Sequence, residues 1–135
     1  MPSMSELEIT VIICTQNRAN KLRQALSSLV TQNISSCSLF EVIVVDNGST
    51  DETAAVVESA MKDSKVFCRY FFKPNGGLSC CRNFAIERSK GSLLFFTDDD
   101  CVPSPDWVQN TSKIFESAKI AAAGGRVLIH SSSTI

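Results

Sequence analysis

The sequence predicts an α/β fold: a mostly parallel, Rossmann-like sheet with helices on both faces. Short apolar runs rich in β-branched residues recur along the chain, and segments with apolar residues at helical spacing follow them. Such alternation calls for crossover connections, and crossovers make neighbouring strands parallel. Three of the runs also end in polar loops, "CTQNR", "DNGSTD" and "TDDDC". In parallel sheets, ligands sit beyond the carboxyl ends of the strands.

The elements follow in order. "LEITVIIC" (7–14) is a near-continuous apolar run and reads as a buried parallel strand. Leu22, Ala25, Leu26, Leu29 and Val30 then mark one face of a helix that runs to about Gln32. "FEVIVVD" (40–46) is the second strand. Ser49 and Glu52 have the S-x-x-E spacing of a capping box, which predicts a helix over 50–61. "VFCRYFF" (66–72) is the third strand, and a helix over 79–89 follows, with Gly91 just past its end as a stop signal. "LLFFT" (93–97) is the fourth strand. "SPDW" reads as a helix start, with Ser104 as N-cap, Pro105 at the first helical position and Asp106 near the positive end of the dipole. Trp107, Thr111, Ile114, Phe115 and Ala118 give that helix its inner face. "IAAAGGRVLIH" (120–130) is expected to be a last strand at the sheet edge, open to self-association.

A chain of 135 residues suits one domain, and its 44% hydrophobic content can build a core. The net charge of -1 and the pI of about 5.8 speak against a nucleic-acid surface. Cys14, Cys37, Cys68, Cys80, Cys81 and Cys101 form no C-x-x-C pair, and His130 is the sole histidine, so a structural zinc site is not expected. Cysteines in apolar stretches point to a reducing, cytoplasmic setting. The N-terminus lacks the basic-then-apolar pattern of a signal peptide. No apolar run reaches the roughly 18 residues of a spanning helix. A soluble protein is expected, and peripheral association with the cytoplasmic face of a membrane is compatible with this reading.

Asp98, Asp99 and Asp100 stand side by side directly after the most apolar strand. Adjacent carboxylates repel, and a divalent ion relieves that repulsion. Hard ions such as Mn²⁺ and Mg²⁺ prefer oxygen ligands and share them with substrate phosphates. A calcium loop counted from Asp98 would need Gly at its sixth position and Glu at its twelfth, where this chain has Pro103 and Gln109. The chain also lacks the P-loop and Rossmann glycine patterns, and its first strand ends without the acidic pair of a phosphate-accepting receiver domain. Asp46 ends the second strand and reads equally as a turn residue or as an acceptor for a base N–H. Arg82 follows "NGGLSCC" and reads either as a surface arginine or as a diphosphate ligand.

Taken in order, "ITVIICTQNR", "VIVVDNGSTDET", "NGGLSCCRN" and "LLFFTDDDCVPSPDW" resemble glycosyltransferase family 2, nucleotide-sugar-dependent inverting transferases of the GT-A fold. The resemblance covers almost the whole chain. It implies that Asp46 contacts the uracil or other base, and that Thr15 and Asn17 line the base and ribose pocket with Arg18 nearby. It implies that Asp98, Asp99 and Asp100 form the metal-binding DXD motif. One of them, assigned to Asp98, faces the ribose, and Asp99 or Asp100 holds Mn²⁺ or Mg²⁺. Asn75, Gly77 and Arg82 border the diphosphate.

The expected activity is transfer of a sugar from a nucleoside-diphosphate sugar, UDP-linked by default, to the hydroxyl of a saccharide, lipid or protein acceptor. Gln16 departs from the aromatic often found in the family and cannot stack on a base as an aromatic would. Family domains continue well past "GGRV". Residues 1–135 are therefore expected to form a single nucleotide-sugar-binding domain truncated at its C-terminal end, with the general base outside the chain. Two rivals stay open: a nucleotide-binding remnant without transfer activity, and a nucleotidyltransferase, which the first loop disfavours because it lacks a Gly-rich basic pattern.

Overall fold

Strands and helices alternate strictly in the computed structural model, which describes residues 7–34, 39–62, 64–117 and 119–128. The order is β1 (Ile9–Thr15), α1 (Ala19–Val30), β2 (Phe40–Asp46), α2 (Thr53–Lys62), β3 (Phe67–Phe72), α3 (Gly77–Arg88), β4 (Leu93–Phe96) and α4 (Trp107–Ser117). Every pairing is parallel and the spatial order is β3-β2-β1-β4. The register runs from Ile9↔Phe40 to Thr15↔Asp46, so the tips of β1 and β2 end level with one another.

The alternating side chains of the central strands feed two separate cores. Ile9, Val11 and Ile13 of β1, with Phe40, Val42 and Val44 of β2, pack against Leu22, Ala25, Leu26 and Leu29 of α1, Val56 and Val57 of α2, and Val108 of α4. On the opposite face Ile12, Ile43 and Val45 pack against Cys81 and Ala85 of α3. Each fully buried Leu or Ile contributes about 1.5–3 kcal/mol. The chain moves from β1 outward to β3, then returns through α3 to β4 on the far flank of β1. This reversal makes the edge between the tips of β1 and β4 the switch point, where α/β sheets bind ligands.

A buried ionic network fastens the opposite end of the sheet. Glu41 is fully buried. Its carboxylate accepts two bonds from Arg69, Nε and Nη2 at 2.9 Å each, one from the Thr10 hydroxyl at 2.8 Å and one from the Lys90 backbone N–H at 2.9 Å. The Gly91 N–H donates to Thr10 Oγ1 at 2.9 Å. A Cβ on Gly91 would lie 2.6 Å from the β1 backbone, so only glycine fits there.

Three expectations change. Residues 119–128 form no strand: Val127 and Leu128 are 79% and 72% exposed, and the segment pairs with no strand among the described residues. Without a ladder partner an extended run has no use for its backbone groups, and Gly124 and Gly125 have no side chains to anchor it. The open edges among the described residues belong to β3 and β4. Residues 129 and 130 of that expected strand, His130 included, lie outside the described residues.

Helix α2 starts at Thr53, not at 50, because Ser49 is used elsewhere: its Oγ accepts the Asn17 N–H at 2.8 Å. Asp51 caps the helix instead, accepting the Thr53 N–H at 3.1 Å. Helix α4 starts at Trp107, and Gln32 Oε1, not Ser104, takes the Val108 N–H at 3.0 Å. Val108 and Ser112 form its buried line, while Ile114, expected on the inner face, is 46% exposed. Ala118 falls outside the described residues.

Candidate active site

Four segments meet at the C-terminal edge of the sheet: the loops after β1, β2 and β4, and the N-terminus of α3. The acidic turn after β4 splits its charges by direction. The Cys101 N–H closes the turn on the Asp98 carbonyl at 3.2 Å. Asp99 turns inward and is only 5% exposed. The Thr15 hydroxyl donates to its Oδ2 at 2.9 Å, and Arg18 Nη1 donates to its Oδ1 at 3.2 Å. Asp98 and Asp100 turn outward, where Arg82 Nη2 stands 3.6 Å from Asp98 and Arg18 Nη1 stands 3.6 Å from Asp100. The short apolar strand β4 thus delivers one carboxylate to the interior, where partners meet it, and two to the rim.

One ligand atom each from Asp98, Asp100 and Cys101 lies within 4.8 Å of the others. That spacing and the two carboxylate oxygens suit a hard divalent ion such as Mn²⁺ or Mg²⁺. Burial first, and the neighbouring aspartates after it, push the Cys101 thiol up. Burial likewise pushes Cys14, at the end of β1, up to about 11. The two carboxylates supply the oxygen donors that such an ion prefers.

Asp46 is 1% exposed. Its Oδ1 accepts the Ser49 N–H at 2.8 Å and its Oδ2 accepts the Tyr70 hydroxyl, an arrangement that together with burial holds the tyrosine protonated. The next residue, Asn47, reaches the rim. Its Nδ2 donates to Gln16 Oε1 at 3.3 Å, and its Oδ1 accepts the N–H groups of Gly76 and Gly77, both at 3.3 Å. Asn17 adopts φ 52° and binds the second loop twice, through its N–H to Ser49 Oγ and its Oδ1 to the Thr50 N–H, each at 2.8 Å. Asn75 (φ 65°) and Gly77 (φ 71°) shape the entry to α3, which brings Arg82 over the acidic turn.

The structure therefore gathers Thr15, Arg18, Arg82, Asp98, Asp99 and Asp100 into one linked group. Asp46, Asn17, Asn75 and Gly77 shape the adjoining loops. Two participants escape a reading from sequence. Asn47 ties the loop after β1 to the start of α3. Asp51 bridges two helix N-termini, because its Oδ2 also accepts the Ala19 N–H of α1 at 3.2 Å. These bonds, the Thr53 hydroxyl foremost, hold the Asp51 carboxyl below the usual carboxylate range. The signal for Asp51 was present as an N-cap aspartate two residues before a helical threonine.

A parallel sheet whose reversal point between β1 and β4 gathers carboxylates and guanidinium groups is a Rossmann-like α/β arrangement, of the kind that binds ligands at that edge. Residues 10–134 match Glycosyl transferase family 2, and the chain belongs to that family. Glycosyltransferase AglE of Haloferax volcanii is 30% identical over 122 residues, which are 88% of this chain and 39% of AglE. Among solved structures, the mannosyltransferase PcManGT from Pyrobaculum calidifontis, in complex with GDP-Man and Mn²⁺, superposes with a TM-score of 0.72 at 25% identity over 84% of this chain and 34% of its own. Residues 1–349 of TarS from S. aureus, in complex with UDP-GlcNAc, give 0.73 at 25% identity over 93% and 38%. The fold is that of the GT-A glycosyltransferases. The chain spans 18% and 13% of two Rickettsia relatives it matches, and 39% of AglE.

Proposed function

We propose that this domain binds a nucleoside-diphosphate sugar, UDP-linked by default, and serves metal-assisted, inverting transfer of the sugar to an acceptor hydroxyl on the cytoplasmic side of the cell. One observation carries the reading: in a family 2 chain, the acidic turn after β4 meets Thr15 from β1, Arg18 from the loop after β1 and Arg82 from α3 at the switch point. Complexes of similar proteins with GDP-Man and Mn²⁺ and with UDP-GlcNAc support it.

Asp98 and Asp100 would hold the ion, and the site's oxygen donors fit Mn²⁺ or Mg²⁺. An ion held there would supply positive charge to offset what develops on a leaving diphosphate. The residues of the chain do the rest. Arg18 and Arg82 present guanidinium groups suited to phosphate oxygens. Thr15 fixes Asp99 beneath the switch point, and Asn17 and Asp46 hold the two loops that flank the base. The aspartates stand on the leaving-group side, so the acceptor proton goes to a different group.

The test is a labelled UDP-sugar offered to the full chain with Mn²⁺ and with EDTA. Sugar transfer or donor hydrolysis that needs the ion is the expected result. Metal-dependent binding without turnover would assign the chain to donor capture alone. Nucleotidyl transfer to a sugar phosphate, or UDP affinity equal in EDTA, would overturn the reading.

A further inference from the structure

The two outward carboxylates of the acidic turn are each already matched to one arginine. Arg82 reaches Asp98 from α3, and Arg18 reaches Asp100 from the loop after β1 while also holding Asp99. Neither arginine is close to the turn in sequence, and the fold brings both to it. Three adjacent carboxylates thus face two guanidinium groups, which offsets most of their mutual repulsion in the protein without an ion. The side chains of Arg18 and Arg82 are 52% and 41% exposed, so these pairs are solvent-screened and exchangeable. The same guanidinium groups are the cations best shaped to take a diphosphate.

We propose that Arg18 and Arg82 are resident counter-ions of the acidic turn, and that they change partners when the donor binds. The divalent ion takes Asp98 and Asp100 as the diphosphate takes the two arginines. Resting on the donor-site reading above, this adds an ordering rule. The ion alone competes with two built-in cations and binds weakly. The diphosphate removes that competition, and the ion in turn frees the arginines for the diphosphate. Coupling of this kind is reciprocal, so each ligand raises the affinity for the other by the same factor. A guanidinium held on a carboxylate also keeps the turn in its metal-ready shape, since Asp99 stays anchored to Thr15 throughout.

The experiment is a Mn²⁺ titration of the full chain followed by electron paramagnetic resonance of free Mn²⁺, with and without UDP. It compares wild type, Arg18→Ala, Arg82→Ala, the double variant and the charge-preserving Arg18→Lys. Without UDP, each alanine variant is expected to bind Mn²⁺ roughly threefold tighter than wild type, the gain from losing one screened competitor. The double variant is expected to gain more, and Arg18→Lys to stay near wild type. With UDP present, the order reverses and wild type binds Mn²⁺ tightest. Alanine variants that bind Mn²⁺ alone no tighter than wild type overturn the counter-ion role, even if UDP binding still needs the ion. Failure of every form to bind Mn²⁺, with or without UDP, overturns the metal site itself.

Discussion

Replacing Glu41 with alanine is expected to lower the stability of the domain by about 3 kcal/mol, the lower end of the range for breaking a buried ion pair. The lower end applies because Arg69 is 25% exposed and recovers some hydration. Four donors converge on the Glu41 carboxylate, from β1, β3 and the segment between α3 and β4. Without it, the guanidinium, the Thr10 hydroxyl and the Lys90 N–H all lose a partner, and the Thr10 hydroxyl is fully buried. Urea unfolding followed by circular dichroism checks this. Glu41→Leu combined with Arg69→Met should recover much of the loss, because it removes both charges and restores volume. A midpoint for Glu41→Ala equal to that of wild type would show that the network carries no net stability.

Converting the two outward aspartates to Asp98→Asn and Asp100→Asn together is expected to weaken UDP binding in Mn²⁺ roughly a hundredfold, the scale of several kcal/mol that an ion contributes at a phosphate. Pyrophosphate binding should fall with it. Asp46→Ala should behave differently: UDP weakens, while pyrophosphate is little changed. On the proposed donor reading, Asp46 would act at the base end through Ser49, whose N–H it accepts, and the loop it holds. Calorimetry with both ligands on both variants separates the two ends. If the variants respond alike to UDP and to pyrophosphate, the division between base end and diphosphate end is wrong.

Much of this was legible in the sequence, for definable reasons. The strand Phe40–Asp46 was read to the residue because its β-branched run ends abruptly at a charge and a turn. The acidic turn was legible as a site because its strand had to be buried. The direction of each aspartate was not, since a turn has no periodicity to say which side chain faces inward. Only the Thr15 hydroxyl and Arg18 decide that Asp99 is the inner one. Glu41 was equally hidden. A charge in an apolar strand gives no clue to a partner on a different strand, and Arg69 lies two positions past its direct neighbour Phe67 in register. The start of α2 was misplaced because S-x-x-E is a local rule, and the Ser49 hydroxyl answers a residue 32 positions away. The expected final strand failed for a related reason. An apolar, glycine-containing run shows strand propensity but cannot show whether a neighbouring strand exists to pair with it.

Strand β4 is four residues long and, among the described residues, hangs on the sheet by a single neighbour, β1. An edge strand of that length opens more readily than the centre of a sheet. The three aspartates begin one residue past it, after Thr97, so each transient opening of β4 disperses them while β1 and β2 stay paired. Amide hydrogens at 93–97 should therefore exchange with deuterium ahead of those in β2. Mn²⁺ with UDP should slow exchange at 93–97 far more than in β2, and equal slowing in both would rule this out. With that outcome, donor capture would double as a clasp on a short edge strand, and part of the binding energy would be spent on finishing the fold.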